Sequence, residues 1–342
     1  MKVRLTQIDG ALPNLALMKL AHWHKAHGDD VMVTRQIERD IFEQPYDIVY
    51  GSSIFKFSQE KLMHFQRQWP GSIVGGTGTH YAHTIEDLIG DEYEHYDYSG
   101  HDVDYSIGFT QRGCRLKCKF CEVPKKEGKP KSTNTIADIW RGDPWPKKLH
   151  LLDNDFFGNP EWSERIAEIR DGKFKVCLSQ GINVRLINQE AAAALASIEY
   201  RDTKFQERRL YTAWDNLKDE DIFFRGVDLL ESAGILAKNL MAYMLIGFDP
   251  NETWARIWHR FLRMTARGIM PYPMVYDRSR KDLLAFQRWV VNGLYRIVPW
   301  DKYKRETKSP ASMDAYLAIQ QKYLANGAGD RSRTDDLLIT NL

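Results

Sequence analysis

The sequence predicts an α/β protein in two parts, an N-terminal Rossmann-like parallel sheet followed by a partial (β/α)6 TIM-like barrel. Along the first hundred residues short apolar runs alternate with amphipathic stretches, and across residues 105–276 six further apolar runs are separated by helical stretches. That alternation calls for parallel strands joined by crossover helices. Length sets the scale: 342 residues exceed one typical domain yet leave room for a barrel beside a smaller sheet.

In the first part, VRLTQI reads as a strand, residues 14–27 as a helix, VMVT and DIVYG as strands, and residues 60–68 as a second helix. SIVGGTGTH then runs a short strand into a glycine-rich turn, as strands of parallel sheets often end. The spacing of Gly75, Gly76 and Gly78 does not match GxGxxG, and the turn does not open the first helix, so nothing here points to a nicotinamide or flavin site. In the second part the strands are YSIGF, KLHLL, FKVCL, RLYTA, NLMAYMLI and IMPYPMV. Between them lie helical runs such as QEAAAALASI, DEDIFFRGVDLLESAG and ETWARIWHRFLRMTARG, the last two stopping at a glycine. Barrels of this kind carry their chemistry at the C-terminal ends of the strands. The expected domains are 1–100, 101–278, a helical region at 279–326, and a tail at 327–342 expected to be disordered because LLI is its one apolar group.

A formal charge of +2 implies no nucleic-acid partner, and no apolar run approaches the ~20 residues of a membrane-spanning helix. The start, MKVRLTQIDG, has no secretory pattern, so a cytoplasmic, reducing location without disulfides is expected.

Three of the four cysteines, Cys114, Cys118 and Cys121, stand in GCRLKCKFCE directly after YSIGF. Three thiolates on one loop can hold three irons of an iron-sulfur cluster and leave a fourth without a protein ligand. The alternative is a zinc knuckle, but structural zinc takes four closed ligands and the local fourth is missing. Cys177, inside the apolar FKVCL, reads as a buried core thiol.

On these residues the stretch 105–276 resembles the radical S-adenosylmethionine superfamily: Cys114, Cys118, Phe120 and Cys121 match its CxxxCx(aromatic)C motif position by position. The resemblance implies a 4Fe-4S cluster whose open iron is chelated by S-adenosylmethionine. It also implies reductive cleavage to a 5'-deoxyadenosyl radical, hydrogen abstraction from a substrate, and an electron donor such as flavodoxin or ferredoxin. Cofactor contacts are expected at the strand ends. Asp153, Asn154 and Asp155 would meet the cofactor's amino group, although an ordinary Asx-rich loop is an equal reading. Gln180 and Arg185 follow the third strand, and the arginine fork suits a carboxylate, with a solvated arginine at a helix start as its plain reading. Trp214 and Asp215 follow the fourth strand, and Gly247 in YMLIGFD is similar to the family's fifth-strand glycine motif. A non-catalytic iron-sulfur protein, serving binding or electron transfer, is the alternative.

The first part resembles the cobalamin-binding-like domain of one branch of that superfamily, through IDGALPNLALMKLAHWHKAHGDDV, YDIVYGSS and SIVGGTGTH. The glycines match a turn that lets backbone approach a corrin. A DxHxxG motif is absent, and His22, His24 and His27 read as plain helix residues, so the domain is expected to be a scaffold, with cobalamin the lesser alternative. Lys125, Lys126, Lys129 and Lys131, and a stripe of Arg256, Arg260, Arg263 and Arg267, would suit RNA or another anion; the plain reading of the stripe is a solvated helix face.

Overall fold

The computed structural model describes residues 1–79, 83–90, 94–303 and 308–326, with side chains as far as 322 in the last stretch. The tail expected at 327–342 lies outside the described residues. The chain divides into two compact units, Met1–Asp104 and Tyr105–Leu342.

The first unit runs β1 (Lys2–Gln7), α1 (Leu15–Ala26), β2 (Asp30–Thr34), β3 (Ile48–Ser52), α2 (Gln59–Gln68), β4 (Ile73–Gly75) and α3 (Ile85–Ile89). Its strands form one parallel sheet in the order β2-β1-β3-β4. The first helix begins where Asn14 accepts the Leu17 N–H at 3.2 Å, satisfying an otherwise unpaired donor of its first turn. Val3 and Leu5 pack with Leu17, Leu20 and Ala21, while Ile8 and Val74 pack with Leu62, Phe65 and Trp69. At the strand exits Asp9 accepts from Ser53 Oγ (2.9 Å), Ile54 N (2.7 Å) and Phe55 N (3.0 Å). Gly76, at φ +100°, turns the chain so closely that an added Cβ would stand 2.4 Å from the Ser53 carbonyl.

The second unit opens with β5 (Ser106–Gly108), β6 (Gln111–Arg112), α4 (Val123–Lys126), β7 (Lys131–Ser132), α5 (Ile136–Ile139) and β8 (Lys148–Leu151). It continues with α6 (Trp162–Asp171), β9 (Lys175–Cys177), α7 (Gln189–Ala196), β10 (Glu199–Tyr200), β11 (Leu210–Ala213) and α8 (Glu220–Ser232). Then come β12 (Leu240–Ile246), α9 (Trp254–Ala266), β13 (Met270–Val275), α10 (Lys281–Val291) and α11 (Pro310–Asn326). Each of the six expected strands is present. The single barrel sheet is not: among the described residues the strands form two parallel sheets, β10-β9-β8-β5 and β11-β12-β13. The cause is β10, whose Glu199 and Tyr200 pair with Lys175 and Val176 and take the edge that β11 would otherwise meet. Ile182 N–H to the Tyr211 carbonyl, 2.7 Å, links the two sheets.

Alternation along β12 follows the pleat: Leu240, Ala242, Met244 and Ile246 are buried in the helix-covered core, whereas Met241, Tyr243 and Leu245 are half-buried on the other face. The helical region after 278 shares this core rather than standing apart, since Trp258 of α9 packs against Phe286 and Trp289 of α10 and Tyr316 of α11. No helix among the described residues is long and apolar enough to cross a membrane.

Candidate metal centre

The three cysteines sit on an excursion between β6 and β7, a short antiparallel pair in which Gln111 meets Ser132 and Arg112 meets Lys131. Gly113 starts it at φ +86°, where a side chain would run into the Lys129 carbonyl at 2.3 Å, so the crossing of the two arms requires glycine. Cys114 N–H then bonds the Gly128 carbonyl (3.2 Å) and Cys121 N–H the Cys118 carbonyl (3.0 Å).

One sulfur accepts a hydrogen bond, Leu116 N–H pointing to Cys114 Sγ at 3.4 Å, and the Arg185 guanidinium lies within electrostatic reach of Cys118. All three thiols are partly buried and free of disulfides. Burial, helped by Asp155 and the neighbouring cysteines, pushes the Cys114 thiol up to about 11, and burial likewise raises Cys121. Such sites disfavour free thiolates and favour thiolates bound to a cation. Among the described residues no three His, Cys, Asp or Glu side chains gather as they would around one metal ion. The donor set, three thiols on one loop, fits a cluster, in which the thiolates bind different irons.

The carboxylates after β8 hold this excursion in place. Asp153 accepts from Thr110 N (2.7 Å), Thr110 Oγ1 (2.5 Å) and Gln111 N (3.0 Å), and burial pushes it up to about 6. Asp155 accepts from Arg115 N (3.0 Å), Nε (2.7 Å) and Nη2 (2.8 Å), a bidentate pair closed by the backbone. Asn154 donates to Glu127 (3.1 Å), which also accepts from Arg112 Nη2 (2.8 Å) and Gly113 N (2.9 Å). Of the three positions expected to meet a cofactor amino group, Asp155 and Asn154 bond Arg115 and Glu127 of the cysteine loop, and Asp153 bonds the strand that leads into it.

Other expected positions divide. Arg185 pairs with Asp219 at 2.8 Å besides lying within electrostatic reach of Cys118. Gln180 is exposed. Phe120 lies edge-on to Phe248 (5.5 Å between ring centroids), which lies edge-on to Tyr276 (4.9 Å), an aromatic row joining the cysteine loop to the exits of β12 and β13. Trp214 is corrected to a core residue: it is fully buried, stacked on Phe223, and its indole donates to the Asn216 carbonyl at 2.7 Å, so it has no face for a ligand. Asp215 accepts the Leu245 N–H (3.0 Å) and is raised by burial; Gly247 N–H donates to Glu252 (2.6 Å). Cys177 is buried as expected, its thiol pushed up to about 12 by desolvation.

The arginine stripe is not one solvated face. Arg263 pairs with Glu220 (2.8 Å) and Arg267 with Asp228 and Glu231, while Arg260 is 1% exposed. Sequence reasoning missed Glu127, Arg115, Phe248, Glu252 and the burial of Arg260. The last was readable: Ile257, Arg260, Phe261 and Met264 follow i, i+3, i+4, i+7, which puts Arg260 in the apolar stripe.

No family model matches the chain, and no curated protein matches it. Among solved structures it is similar to that of the apo, selenomethionine-labelled cobalamin-dependent S-adenosylmethionine radical enzyme OxsB, at 15% identity and a TM-score of 0.49. The match covers 96% of this chain and 61% of that one, so the chain spans less than two thirds of its length.

Proposed function

We propose that this chain is a radical S-adenosylmethionine enzyme, with a Rossmann-like first unit and a partial-barrel second unit. The observation that carries the reading is the CxxxCxxC excursion after β5, its three thiols partly buried on one loop and free of disulfides. When bound, a 4Fe-4S cluster with S-adenosylmethionine at its open iron would supply reductive cleavage of the carbon–sulfur bond to a 5'-deoxyadenosyl radical. Cys114, Cys118 and Cys121 would hold that cluster. Asp153, Asp155 and Glu127 fix the loop that presents them, and Phe120 of that loop packs edge-on against Phe248. Arg185, beside Cys118, and the exposed Gln180 are the proposed polar contacts of the cofactor. In this reading the first unit is a scaffold, with cobalamin the lesser alternative.

The test is anaerobic reconstitution with iron and sulfide, then incubation with reductant and S-adenosylmethionine. Release of 5'-deoxyadenosine is expected. An intact cluster with no release would assign an iron-sulfur protein without this chemistry, and bound zinc without iron would overturn the metal centre altogether.

A further inference from the structure

Arg260 reaches from α9 to the exits of two neighbouring strands. Its Nη1 donates to the carbonyls of Trp214 (3.0 Å), Asp215 (2.9 Å) and Leu245 (3.1 Å), and its Nη2 donates to Leu245 (3.0 Å) and pairs with Glu252. Glu252 in turn accepts the Gly247 N–H at 2.6 Å, and Asp215 accepts the Leu245 N–H at 3.0 Å. One guanidinium and one carboxylate, 1% and 9% exposed in their side chains, thereby fix the backbone where β11 and β12 end.

Stability alone is a poor account of this pair. Desolvating two charges costs about as much as their attraction returns, and well-packed apolar residues often replace such pairs without loss. What an arginine adds is a planar fork that sets several carbonyls at once, which neither an apolar side chain nor the point charge of lysine reproduces.

The residues so fixed border the metal centre. Phe248, next to Gly247, carries the edge contact to Phe120 of the cysteine loop. Asp215 and Cys118 both lie within electrostatic reach of Arg185. We propose that Arg260 and Glu252 are a positioning pair for that centre: they hold the loops after β11 and β12 at the spacing the bound cofactor needs. This rests on the radical S-adenosylmethionine reading above.

The experiment uses the full chain, reconstituted anaerobically. Iron and sulfide content, the electron paramagnetic resonance spectrum of the reduced cluster with and without S-adenosylmethionine, and equilibrium affinity for S-adenosylmethionine are measured. Arg260→Lys should keep its iron, lose about tenfold in affinity, and show a weakened spectral response to S-adenosylmethionine. Glu252→Gln should lose about threefold. Arg263→Lys, a change in an exposed pair, should match the wild type in each measurement. Affinity and spectrum both unchanged in Arg260→Lys would overturn the proposal. If that variant does not fold, Glu252→Gln, which keeps the fork, decides in the same way. If the wild-type chain holds iron but ignores S-adenosylmethionine, the functional reading falls by itself. The pair is then judged on the reduced cluster's own spectrum, and an identical spectrum in Arg260→Lys would defeat it too.

Discussion

Both units lead parallel strands into polar loops, and the two sets of loops dispose of their polar groups differently. In the first unit Asp9 takes up the donors of Ser53, Ile54 and Phe55, and the Gly76 turn closes on Ser53. The buried histidine there is also fully engaged: His24 meets Asp29 at 2.7 Å through one ring nitrogen and the Tyr50 hydroxyl at 3.3 Å through the other. In the second unit, Asp153 and Asp155 tie down a loop whose three thiols are left for something else. Its buried histidine is half engaged, with His150 Nε2 at 2.6 Å from Ser179 Oγ and Nδ1 without a protein partner. Similar exits therefore serve as a closed seam in one unit and as a mount in the other, and what decides is whether the carboxylates consume the last polar groups or only hold the chain that carries them.

The contrast breaks most visibly at the thiols. Alanine at any one of Cys114, Cys118 or Cys121 should abolish cluster assembly, whereas Cys177→Ala should retain the full iron content. Iron lost from the Cys177 variant would replace a three-ligand site by a four-ligand one.

The two histidines sharpen it next. Burial lowers His150 to about 4 against 6.5 in the unfolded chain, so between those values the unfolded state binds more protons and stability rises with pH. The gain present above pH 6.5 is lost as pH falls towards 4, about 3 kcal/mol in all. Asp153 works in the opposite sense, because a raised carboxyl favours the folded state at low pH and loses that advantage as pH climbs to about 6. The two contributions nearly cancel between pH 4 and 6, so denaturant unfolding at several pH values should show the wild type almost flat there and His150→Gln losing stability as pH rises. A variant as flat as the wild type would place the opposing rise elsewhere.

The smallest effect is expected in the closed seam. Gly76→Ala puts a methyl against the Ser53 carbonyl at a left-handed φ and should cost the first unit about 1–3 kcal/mol, with iron content untouched. A fall in iron on that substitution would mean that the first unit supports the metal centre, against the contrast drawn above.

Much of this was legible in the sequence, for definable reasons. The six expected strands of the second unit are three to seven residues long with helical stretches between, and the cysteine spacing states its own ligand geometry. Two-residue β10 has no periodicity to read, so the division of the second unit into two sheets was invisible. The sequence also showed that Asp153, Asn154 and Asp155 follow a strand but not which groups they bond, because their partners lie up to 44 residues away in the chain. Arg260 was misplaced by counting arginines with one another instead of with their apolar neighbours.

The seam between the two sheets bears on how the second unit comes apart. Backbone ladders transmit cooperativity from strand to strand, and here β9 and β11 belong to different ladders, joined at the Ile182–Tyr211 bond and through the core packed behind them. The cysteine loop and its carboxylate clamps hang on one ladder, whereas the Arg260 guanidinium grips the other. A centre drawn from both ladders therefore depends on the single core behind them, and whatever loosens that core loosens the centre.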